Sequence, residues 1–550
     1  MAESYAALKQ KADAAWQAVE NPARPQVFVG YGIHGQAAGA PDVLDALKKL
    51  AQAKGIQADF HIAGGLGPDY AEVLVSVIKP GQPRVFFKNV TPQNASRIVD
   101  EYIAGGKVPQ EMFFGAIGKL DGTGLPSVFE RPEFTLQNRV ATVNCGIIDP
   151  TNIWHYIARG GYAALNKALT QMKADDVLAQ IEKSNLRGRG GAAFPAGTKW
   201  RFLATSTVSP KYLLCNGEEG DSGAFNDKHL LESDPHRVLE GMILGGYACK
   251  ASGGRGFVFI RIGWDLPIGR IQHAIEECYK LGLLGKNILG SGFDFDIELA
   301  FTGDSYVAGE ETALMEAIEG KRAMPRYKPP FPAAAGLWQK PTNINNVKTY
   351  AYAPDIVMKG GDWFAGIGTA KSKGTALVCL SGHIARPGLY EVPFGLTLRQ
   401  VIEQIGGGVP NGKKLKFLQT GGPLGGFLPA SALDMQIDFD GMVAAGAMFG
   451  SGGIIVGDET VSVVELTATL AEFNAEESCG KCFPCRAGTR QVADVLERMA
   501  HGKGKKKELA SALVIGDTMK SSLCAHGHLA DNPIKSGYRY FKAEFDAAAK

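Results

Sequence analysis

The segment Leu186-Arg-Gly-Arg-Gly-Gly-Ala-Ala-Phe-Pro-Ala-Gly-Thr-Lys-Trp200 is the most glycine-rich stretch of the chain that also carries positive charge. Its glycines at positions 188, 190, 191 and 197 allow backbone N–H groups to converge on an anion, and Arg189 and Lys199 add charge. The spacing follows neither G-x-G-x-x-G nor the Walker pattern G-x-x-x-x-G-K-[ST]. Alone, the segment therefore indicates either a phosphate-binding loop or an ordinary turn.

Helix-like and strand-like stretches alternate around this segment, from Tyr162 to about residue 374. Predicted helices cover 164–173, 174–184, 239–248, 268–280 and 312–319, and predicted strands cover 212–215, 256–260 and 294–300. Such alternation is typical of a sheet layered with helices, in which ligands bind where the strands end. We therefore predict a Rossmann-like α/β domain over residues 166–374.

Carboxylate and amide side chains are concentrated at two places in this domain. The apolar strand in Tyr212-Leu-Leu-Cys-Asn-Gly-Glu-Glu-Gly-Asp-Ser-Gly223 leads into Asn216, Glu218, Glu219 and Asp221. The segment Tyr306-Val-Ala-Gly-Glu-Glu-Thr312 places two more carboxylates where a helix begins. Such groups at strand ends commonly bind ribose hydroxyls and ring edges, but acids at a helix start also stabilise the helix dipole. Each cluster alone is open to either interpretation.

The composition is that of a globular protein with several domains. The chain has 550 residues, of which 45% are hydrophobic and 21% charged, and this excludes a disordered or collagen-like protein. Lys plus Arg number 58 and Asp plus Glu 56, a near-balance that gives no support to nucleic-acid binding. The charged first twenty residues do not resemble a signal peptide, and the uncharged run Gly441–Gly457 is too short to span a membrane. We expect that run to be buried loop and strand, and the protein to be cytoplasmic, with any membrane association made through a complex.

The rest of the chain predicts further domains on either side of the α/β domain. Residues 1–24 predict an amphipathic helix, and residues 25–115 a thioredoxin-like α/β domain with strands at 26–29, 74–78 and 84–87 and a helix at 41–54. The proline-rich residues 116–165 are expected to form a connector. Glycine-rich, strand-like residues 375–460 with one helix at 396–405 predict a β-grasp (ubiquitin-like, SLBB-like) insert, and residues 461–550 a helical bundle.

Four of the nine cysteines have the spacing of a metal site. Glu476-Glu-Ser-Cys-Gly-Lys-Cys-Phe-Pro-Cys-Arg-Ala-Gly-Thr489 contains C-x2-C-x2-C, and Cys524 follows in Ser-Ser-Leu-Cys-Ala. Three thiolates in one loop and a distant fourth are the ligand pattern of a [4Fe–4S] cluster, whereas zinc sites more often use two separated pairs. Arg486 and the next helix N-terminus are expected to face this site. The remaining cysteines are expected to be buried structural residues: Cys145, Cys215, Cys249, Cys278 and Cys379.

Together these motifs resemble the NADH-binding flavoprotein (51 kDa-type) subunit of respiratory complex I. They resemble equally the related diaphorase subunits of NAD-dependent hydrogenases, formate dehydrogenases and other electron-transfer complexes. The resemblance runs in order from Asn144-Cys-Gly-Ile-Ile-Asp149 to Cys524 and includes Pro325–Pro332, Gly336–Pro341 and Asn343–Thr349. It implies an NADH dehydrogenase or NAD-reducing diaphorase-type subunit that exchanges hydride between NAD(H) and FMN, rather than FAD, and transfers single electrons through one [4Fe–4S] cluster. Because the cofactors carry this chemistry, no catalytic side chain is implied.

The resemblance also implies which residues bind each group. FMN would be held by Gly188, Arg189, Gly190, Gly191, Lys199, Asn216, Glu218, Tyr306, Gly309, Glu310, Asn345, Asn346 and Thr349. NAD(H) would be bound by Phe194, Phe202, Glu219, Asp221, Glu311, Lys328 and Phe331. The cluster would be ligated by Cys479, Cys482, Cys485 and Cys524.

The sequence departs from the family pattern at two places. Glu218 stands where the family usually has Asp, and Asp221-Ser222 where it has Glu-Pro, so the reach of these carboxylates is altered. Relatives with a thioredoxin-like N-terminal domain often bind a [2Fe–2S] cluster through four cysteines. Here Gly30-Tyr-Gly-Ile-His-Gly35 has glycine where the first pair of these cysteines would stand, and no cysteine precedes Cys145. We expect this domain to dock onto protein, and His34 and His61 to be turn or surface residues rather than metal ligands.

A single cluster implies that electrons pass to or from other subunits. The expected partners are a small [2Fe–2S] thioredoxin-like subunit and a larger iron–sulfur or catalytic subunit. Two alternatives stay open at this point. The chain could be an electron-bifurcating flavoprotein subunit of a larger complex, which would require two acceptors, or a non-catalytic wiring or scaffold subunit, an idea motivated by the altered Glu218–Asp221 loop.

Overall fold

The computed structural model describes residues 3–550, and the strands within this range form three sheets. The first sheet contains β1 (Gln26–Gly30), β2 (Asp59–Ala63), β3 (Val75–Ile78), β4 (Arg84–Phe87) and β5 (Phe113–Ile117). The second contains β6 (Tyr212–Gly217), β7 (Gly254–Arg261), β8 (Phe295–Thr302) and β9 (Thr342–Asn346). The third contains β10 (Thr375–Gly382), β11 (Gly388–Pro393), β12 (Leu415–Thr420), β13 (Gly426–Pro429) and β14 (Gly453–Asp458). The chain is therefore a multidomain α/β protein, as predicted.

The first sheet has the strand order β2-β1-β3-β4-β5, with β1 parallel to β2 and antiparallel to β3. This is the expected thioredoxin-like topology, with helix Ala40–Ala53 connecting β1 to β2. The sequence did not predict β2 or β5. β5 is recognisable only from its pairing with β4, and it runs two residues past the predicted domain end at 115. A glycine at its centre and prolines on both sides hide the alternation that marks a strand.

The helices of this region are Tyr5–Glu20, Ile33–Ala37, Ala40–Ala53, Ala95–Arg97, Pro132–Thr135 and Ile153–Ala158, with a π-helical turn at Ile98–Ala104. The first begins at Ser4, whose hydroxyl accepts a hydrogen bond from the Ala7 amide at 3.3 Å. It buries Leu8, Ala12 and Trp16, and the Trp16 ring meets His155 edge-on at 5.1 Å. Helix Ile153–Ala158, against which it packs, lies in the stretch predicted as an irregular connector.

A helix of the second domain packs against the glycine-containing loops that follow β1 and β2. An added Cβ at Gly32 would lie 2.7 Å from the Glu232 carboxylate, and one at Gly65 would lie 2.8 Å from the His229 ring. The Ile33 amide donates to Glu232 Oε2 at 3.1 Å, and the Gly65 amide donates to the Ser233 hydroxyl at 3.1 Å. The small glycines therefore let helix Asn226–Ser233 approach the backbone closely.

His34 and His61, expected to be turn or surface residues, are partly exposed but lie in a helix and a strand rather than in turns. His34 lies on the short helix Ile33–Ala37, with its Nδ1 atom 2.7 Å from Asp69 Oδ1. His61 lies on β2, where its ring stacks on Phe28 at 4.6 Å and its Nε2 atom lies 2.7 Å from Gln26 Oε1. Both rings are partly buried by long-range contacts, which local sequence does not reveal.

The interface between the first two domains is expected to weaken as pH rises. Burial raises the pKa of Glu232 and of Glu72 from the ordinary value of 4.5 to about 8. The groups that face Glu232 are His34, Asp69, Glu72 and Arg270. Because the folded state holds the proton more tightly than the unfolded state, stability is lost as pH rises from about 4.5 to about 8, by up to about 1.4 kcal/mol per pH unit for each group.

Thermal unfolding measured between pH 6 and 9 tests this expectation. The unfolding midpoint should fall with rising pH, and Glu232→Gln, which keeps an acceptor for the Ile33 amide, should flatten that dependence. Glu276→Gln, on a solvent-facing part of helix Asp265–Lys280, is the control. Equal slopes in wild type and Glu232→Gln would contradict the prediction.

The second sheet is fully parallel, with the order β8-β7-β6-β9. Its helices are Ala163–Gln171, Ala174–Lys183, Ala196–Thr205, Asn226–Ser233, Pro235–Ala248, Asp265–Lys280, Glu311–Ile318, Pro332–Ala335, Val347–Lys359 and Gly361–Ala365. Every helix and strand predicted here is present, with ends shifted by at most four residues. Strand β9 was not predicted, because its polar residues do not alternate with apolar ones. The helices that were not predicted are Ala196–Thr205, Asn226–Ser233, Pro332–Ala335, Val347–Lys359 and Gly361–Ala365.

The third sheet has the order β11-β10-β14-β12-β13, with β10 parallel to β14 and the other pairs antiparallel. This is the expected β-grasp arrangement, and the predicted helix between β11 and β12 is a π-helical turn at Gln400–Ile405. The run 441–457 is not only loop and strand. Helix Phe439–Ala444 precedes β14 and begins at Asp438, whose Oδ1 accepts hydrogen bonds from the Asp440 and Gly441 amides at 3.0 Å.

The C-terminal region is helical, as predicted. Its helices are Val463–Glu476, Phe483–Ala500, Lys506–Met519, Ala525–Leu529, Asn532–Tyr540 and Lys542–Ala548. The first three pack side by side, and Gly488 allows Met519 and Ile515 to approach the middle helix. Among residues 3–550, none of the helices has the length and apolar character needed to cross a membrane.

Candidate functional site

The carboxyl ends of β6 and β9 border a crevice in the second sheet. Strands β7 and β8 lie on one side of β6, and β9 lies on its other side, so the strand order reverses between β6 and β9. Asn216 at the end of β6 pairs with Asn346 at the end of β9, and the Asn216 amide donates to the Gly309 carbonyl at 2.8 Å. Open α/β sheets bind their ligands at such a switch point. Three residues predicted for FMN therefore lie together at the place where a ligand is expected.

The glycine loop 188–194 lies against the same crevice. It joins helix Ala174–Lys183 to helix Ala196–Thr205, and an added Cβ at Gly190 would lie 3.0 Å from Asn346 Cβ. Gly191 has φ 114°, a conformation that favours glycine. Within residues 3–550, the amides of Gly190 and Gly191 donate no hydrogen bond. Free amides beside a helix N-terminus are the groups that bind phosphate, so the loop fits the phosphate of FMN.

The Arg189 side chain extends away from this loop to the third sheet. Its buried guanidinium donates to the carbonyls of Arg187 at 2.7 Å, Lys373 at 2.6 Å and Thr375 at 3.2 Å. Its amide donates to Thr349 Oγ1 at 3.0 Å. Burial lowers the pKa of Arg189 to about 10. Arg189 thus fastens the loop to the β-grasp domain, and its charge is engaged with backbone oxygens.

Two lysines and two glutamates form an ion-pair network where helix Glu311–Ile318 begins. Lys199 Nζ lies 3.1 Å from Glu311 Oε2 and donates to the Ile344 carbonyl at 2.9 Å. Lys328 Nζ lies 3.1 Å from Glu310 Oε1 and 3.0 Å from Glu311 Oε1. Although burial raises it, the two lysines lower the pKa of Glu311 below its usual value. The network joins residues predicted for FMN to residues predicted for NAD(H).

Three aromatic residues predicted for NAD(H) are exposed. Phe194 is 47% exposed, Phe202 54% and Phe331 62%. Phe194 ends the glycine loop, Phe202 lies on helix Ala196–Thr205, and Phe331 directly precedes helix Pro332–Ala335. Aromatic faces with this exposure are available to stack on planar rings.

The carboxylates of Glu219 and Asp221 have protein partners instead. Glu219 accepts hydrogen bonds from the amides of Asp227 at 2.7 Å and Lys228 at 2.9 Å, where helix Asn226–Ser233 begins. Asp221 accepts one from the Gly223 amide at 2.9 Å and lies beneath Gly422 of the β-grasp domain. Burial raises the pKa of Asp221 to about 6. The helix-cap interpretation is therefore correct for Glu219, and both carboxylates shape the loop.

The remaining predicted FMN residues surround the crevice at different depths. Glu218 forms a buried ion pair with Arg261 and accepts a hydrogen bond from the Gly220 amide at 3.0 Å. Burial raises the pKa of Glu218 to about 7. Asn345 is buried and donates to the Tyr350 hydroxyl at 3.4 Å, and Glu310 caps helix Glu311–Ile318. Thr349 is fully buried beneath the glycine loop.

A buried lysine beside the crevice was not predicted from the sequence. Lys348 is 2% exposed, and its Nζ donates to Asp227 Oδ1 at 2.9 Å and to Asn226 Oδ1. Asp227 also accepts a hydrogen bond from Asn346 at 2.5 Å, so this group supports the end of β9. The only sequence signal for this buried ion pair was a lysine in the middle of an otherwise buried segment. The spacing of residues around Lys348 does not connect it with Asp227.

Gly309→Ala is expected to weaken FMN binding. The new Cβ would lie 2.7 Å from Glu218 Oε2, and Arg261 and the Gly220 amide hold that carboxylate in place. Overpacking of this kind costs about 1–3 kcal/mol, which corresponds to a rise in Kd of about fivefold to 150-fold. Flavin titration of the apoprotein measures the change. Gly303→Ala, where an added Cβ has open space, is the control, and equal Kd values for the two variants would contradict the prediction.

The four predicted cluster cysteines line a single cavity. Ser478, Lys481, Val307, Pro325, Leu523 and His526 complete its wall. Among residues 3–550, no three His, Cys, Asp or Glu side chains are arranged to hold one metal ion. Thiols that surround a cavity rather than meet at a point suit a polynuclear cluster better than a single zinc ion. The donor set therefore fits a [4Fe–4S] cluster.

Two helix N-termini point at this cavity. Cys482 precedes helix Phe483–Ala500, and Cys524 precedes helix Ala525–Leu529. Burial raises the pKa of the Cys524 thiol to about 11, and the backbone of His526 and Gly527 acts in the opposite direction. Arg486 donates to the Gly480 carbonyl at 3.1 Å and so folds onto the cluster loop, but it does not line the cavity. Helix dipoles and amide donors of this kind stabilise thiolates and the negative charge of a cluster. The other five cysteines are buried, as predicted.

The protein has a parallel sheet with a phosphate-type glycine loop at its switch point, and this sheet is joined to a helical domain with four converging cysteines. These features define the class of flavin and iron–sulfur NAD(H) oxidoreductases. Comparison with known proteins agrees with this class. The Nuo51 FMN-binding domain matches residues 181–355, the NADH-ubiquinone oxidoreductase-F iron–sulfur binding region matches 465–548, and the SLBB domain matches 377–428. The chain belongs to the family of the F subunits of NADH-quinone oxidoreductases and related hydrogenase subunits.

Individual relatives cover most of the chain. It is 47% identical over 412 residues to the NADP-reducing hydrogenase subunit HndC of Solidesulfovibrio fructosivorans, covering 75% of this chain and 83% of that protein. It is 44% identical over 393 residues to the F 2 subunit of NADH-quinone oxidoreductase from Rhizobium meliloti, covering 71% and 93%. A crystal structure of the NAD+-reducing [NiFe]-hydrogenase matches 99% of this chain and 90% of that chain with a TM-score of 0.66 and 25% identity.

The chain is therefore an NADH-binding FMN flavoprotein with one [4Fe–4S] cluster, an enzyme subunit of the NADH dehydrogenase type. It transfers electrons to partner subunits. FMN, when bound, supplies the conversion between the two-electron hydride chemistry of NADH and the one-electron chemistry of an iron–sulfur cluster.

Proposed function

We propose that the switch-point crevice of this chain holds FMN, and that NAD(H) binds over it against the exposed aromatic residues. The loop amides of Gly190 and Gly191 hold the phosphate, while Asn216, Gly309 and Asn346 border the rest of the flavin. Phe194, Phe202 and Phe331 stack on the nucleotide, with Lys328 and Glu311 beside them. Glu219, Asp221 and Arg189 act indirectly by holding the loops that form the crevice.

One observation carries this proposal: the segment 306–311 contributes to both cofactor sites. The Gly309 carbonyl accepts the Asn216 hydrogen bond in the crevice, whereas Val307 lines the cavity of the cluster cysteines. The Tyr306 ring meets Phe473 at 5.5 Å and His526 at 5.8 Å, and both residues belong to the helical domain. Flavin and cluster sites thus share a wall, which is the arrangement that electron transfer between them requires.

The partners proposed for this chain are a small thioredoxin-like [2Fe–2S] subunit and a larger iron–sulfur or catalytic subunit. Support comes from the named complexes of its relatives, a hydrogenase and an NADH-quinone oxidoreductase. The N-terminal thioredoxin-like domain has no cysteine to ligate such a cluster, and its glycine loop contacts helix Asn226–Ser233. We therefore assign this domain a docking role. The cytoplasmic location and the domain boundaries remain predictions.

Anaerobic titration of the holoprotein with NADH tests the proposal. Flavin absorbance should bleach, and the reduced cluster should then give an EPR signal. NADPH in a parallel titration measures the preference between the two nucleotides. Intact, bound FMN that NADH does not bleach would contradict the proposal and favour the scaffold alternative. A requirement for two different acceptors during turnover with the co-purified subunits would identify electron bifurcation.

A further inference from the structure

The loop that carries the first cluster cysteine is tied to the α/β domain at two points. Glu477 Oε2, two residues before Cys479, accepts a hydrogen bond from the Tyr306 amide at 2.8 Å. Lys481, two residues after Cys479, donates through Nζ to the Pro325 carbonyl at 2.6 Å, and its ammonium lies 5.5 Å from the centroid of the Tyr327 ring. We refer to Glu477 and Lys481 as the loop anchors.

The two anchors reach different parts of the α/β domain. Tyr306 begins the segment that also supplies Gly309 to the crevice, and Pro325 begins the loop that carries Lys328 and Phe331 toward the nucleotide. Both contacts join segments more than 150 residues apart in the chain. The cluster loop is thus held against the flavin side by one anchor and against the nucleotide side by the other.

We propose that Glu477 and Lys481 are positioning residues that set the rate of electron transfer between FMN and the cluster. The inference deepens the proposed function and rests on it. Glu477 does not line the cluster cavity, and Lys481, which lies in its wall, has its ammonium bound to the Pro325 carbonyl. Both residues act by fixing the cluster loop relative to the crevice. Electron transfer falls steeply with separation, so a loop held at one end only would transfer electrons more slowly even with both cofactors bound.

The anchoring is specific in its chemistry. Each anchor bonds to a backbone group of the α/β domain, an amide for Glu477 and a carbonyl for Lys481, so its effect does not depend on an ion pair. Glu477→Gln keeps an acceptor oxygen and Lys481→Arg keeps a donor, whereas Glu477→Ala and Lys481→Met remove the hydrogen bond. Conservative and disruptive variants at one position thus separate hydrogen bonding from charge.

Rapid mixing of the reconstituted holoprotein with NADH measures the effect. Stopped-flow absorbance follows flavin bleaching, and freeze-quench EPR, normalised to bound iron, follows cluster reduction. Because electron transfer slows as the separation of the two cofactors grows, we expect the ratio of the cluster rate constant to the flavin rate constant to fall several-fold in Glu477→Ala and Lys481→Met. Glu477→Gln and Lys481→Arg should restore most of the ratio.

Each outcome decides the inference. Glu476→Ala, at the exposed last residue of helix Val463–Glu476 and directly before Glu477, is the matched control and should retain the wild-type ratio. An unchanged ratio in both disruptive variants overturns the proposal, and so does Glu477→Gln behaving like Glu477→Ala, which would assign the effect to charge. If the disruptive variants bind no iron while the conservative ones do, the anchors serve cluster assembly instead. If NADH fails to bleach the FMN bound to the wild-type protein, the proposed function itself is overturned.

Discussion

Replacing Cys524 by serine is expected to remove the iron–sulfur cluster, taking bound iron from about four atoms per chain to about none. Cys524 is the only cluster cysteine outside the C-x2-C-x2-C loop, and it closes the far side of the cavity. Electron transfer to partner subunits should be lost with the cluster. Dye reduction directly from the flavin should remain measurable, because the glycine loop and the crevice lie on another domain.

Iron and sulfide analysis together with EPR of the dithionite-reduced protein measure this effect. Because metal binding contributes to folding of a site that is formed by distant segments, the midpoint of thermal unfolding should also fall. Cys249→Ser is the matched control, since this buried cysteine lies 3.6 Å from the Trp200 carbonyl and far from the cluster loop in sequence. A full complement of iron in Cys524→Ser would refute the assignment of this ligand.

Removing the buried charge of Lys348 is expected to have the largest effect on stability. Lys348→Met leaves the Asp227 carboxylate, 3% exposed, without its cationic partner. Breaking a buried ion pair from one side costs about 3–5 kcal/mol. Because Asp227 also holds Asn346 at the end of β9, FMN content should fall together with the midpoint of thermal unfolding.

A double variant separates the charge from the volume of the side chain. Asp227→Asn combined with Lys348→Met removes both charges and should recover more than half of the stability lost in the single variant. Lys359→Met is the control: this lysine lies on the same helix, is 51% exposed and pairs with Asp355 at 2.7 Å, so it should cost less than about 1 kcal/mol. Additive losses in the double variant would show that the two residues are not coupled.

The parts of the fold that follow from local pattern were predicted well. In the second sheet, apolar strands and amphipathic helices alternate, and buried parallel strands such as β6 and β7 carry this pattern strongly. Strands β2, β5 and β9 were missed, because the first two depend on neighbouring strands for their definition and the third is polar. Pairing between strands is a long-range property that local periodicity does not encode.

In the candidate site too, some residues could be predicted from local sequence and others could not. The cysteines near 482 were identified from their spacing, and the glycines at 190 and 191 from glycine density beside positive charge together with the family resemblance. The direction in which a long charged side chain extends cannot be predicted from local sequence. Arg189 leaves its own loop for carbonyls of the β-grasp domain, and Glu219 turns back to cap a helix. Both choices depend on which acceptor or donor the packed neighbour presents.

The amino-acid sequence by itself determined the order of the domains, the glycine loop and the four-cysteine pattern, and with them the family and its cofactors. Only the tertiary structure decided which charged groups face a ligand and which are engaged inside the protein. It also showed that segment 306–311 is shared by the crevice and the cluster cavity, and that Glu477 and Lys481 tie the cluster loop to the α/β domain. The physical reason is that hydrogen bonds and ion pairs of buried groups join residues far apart in the chain, and only packing brings those partners together.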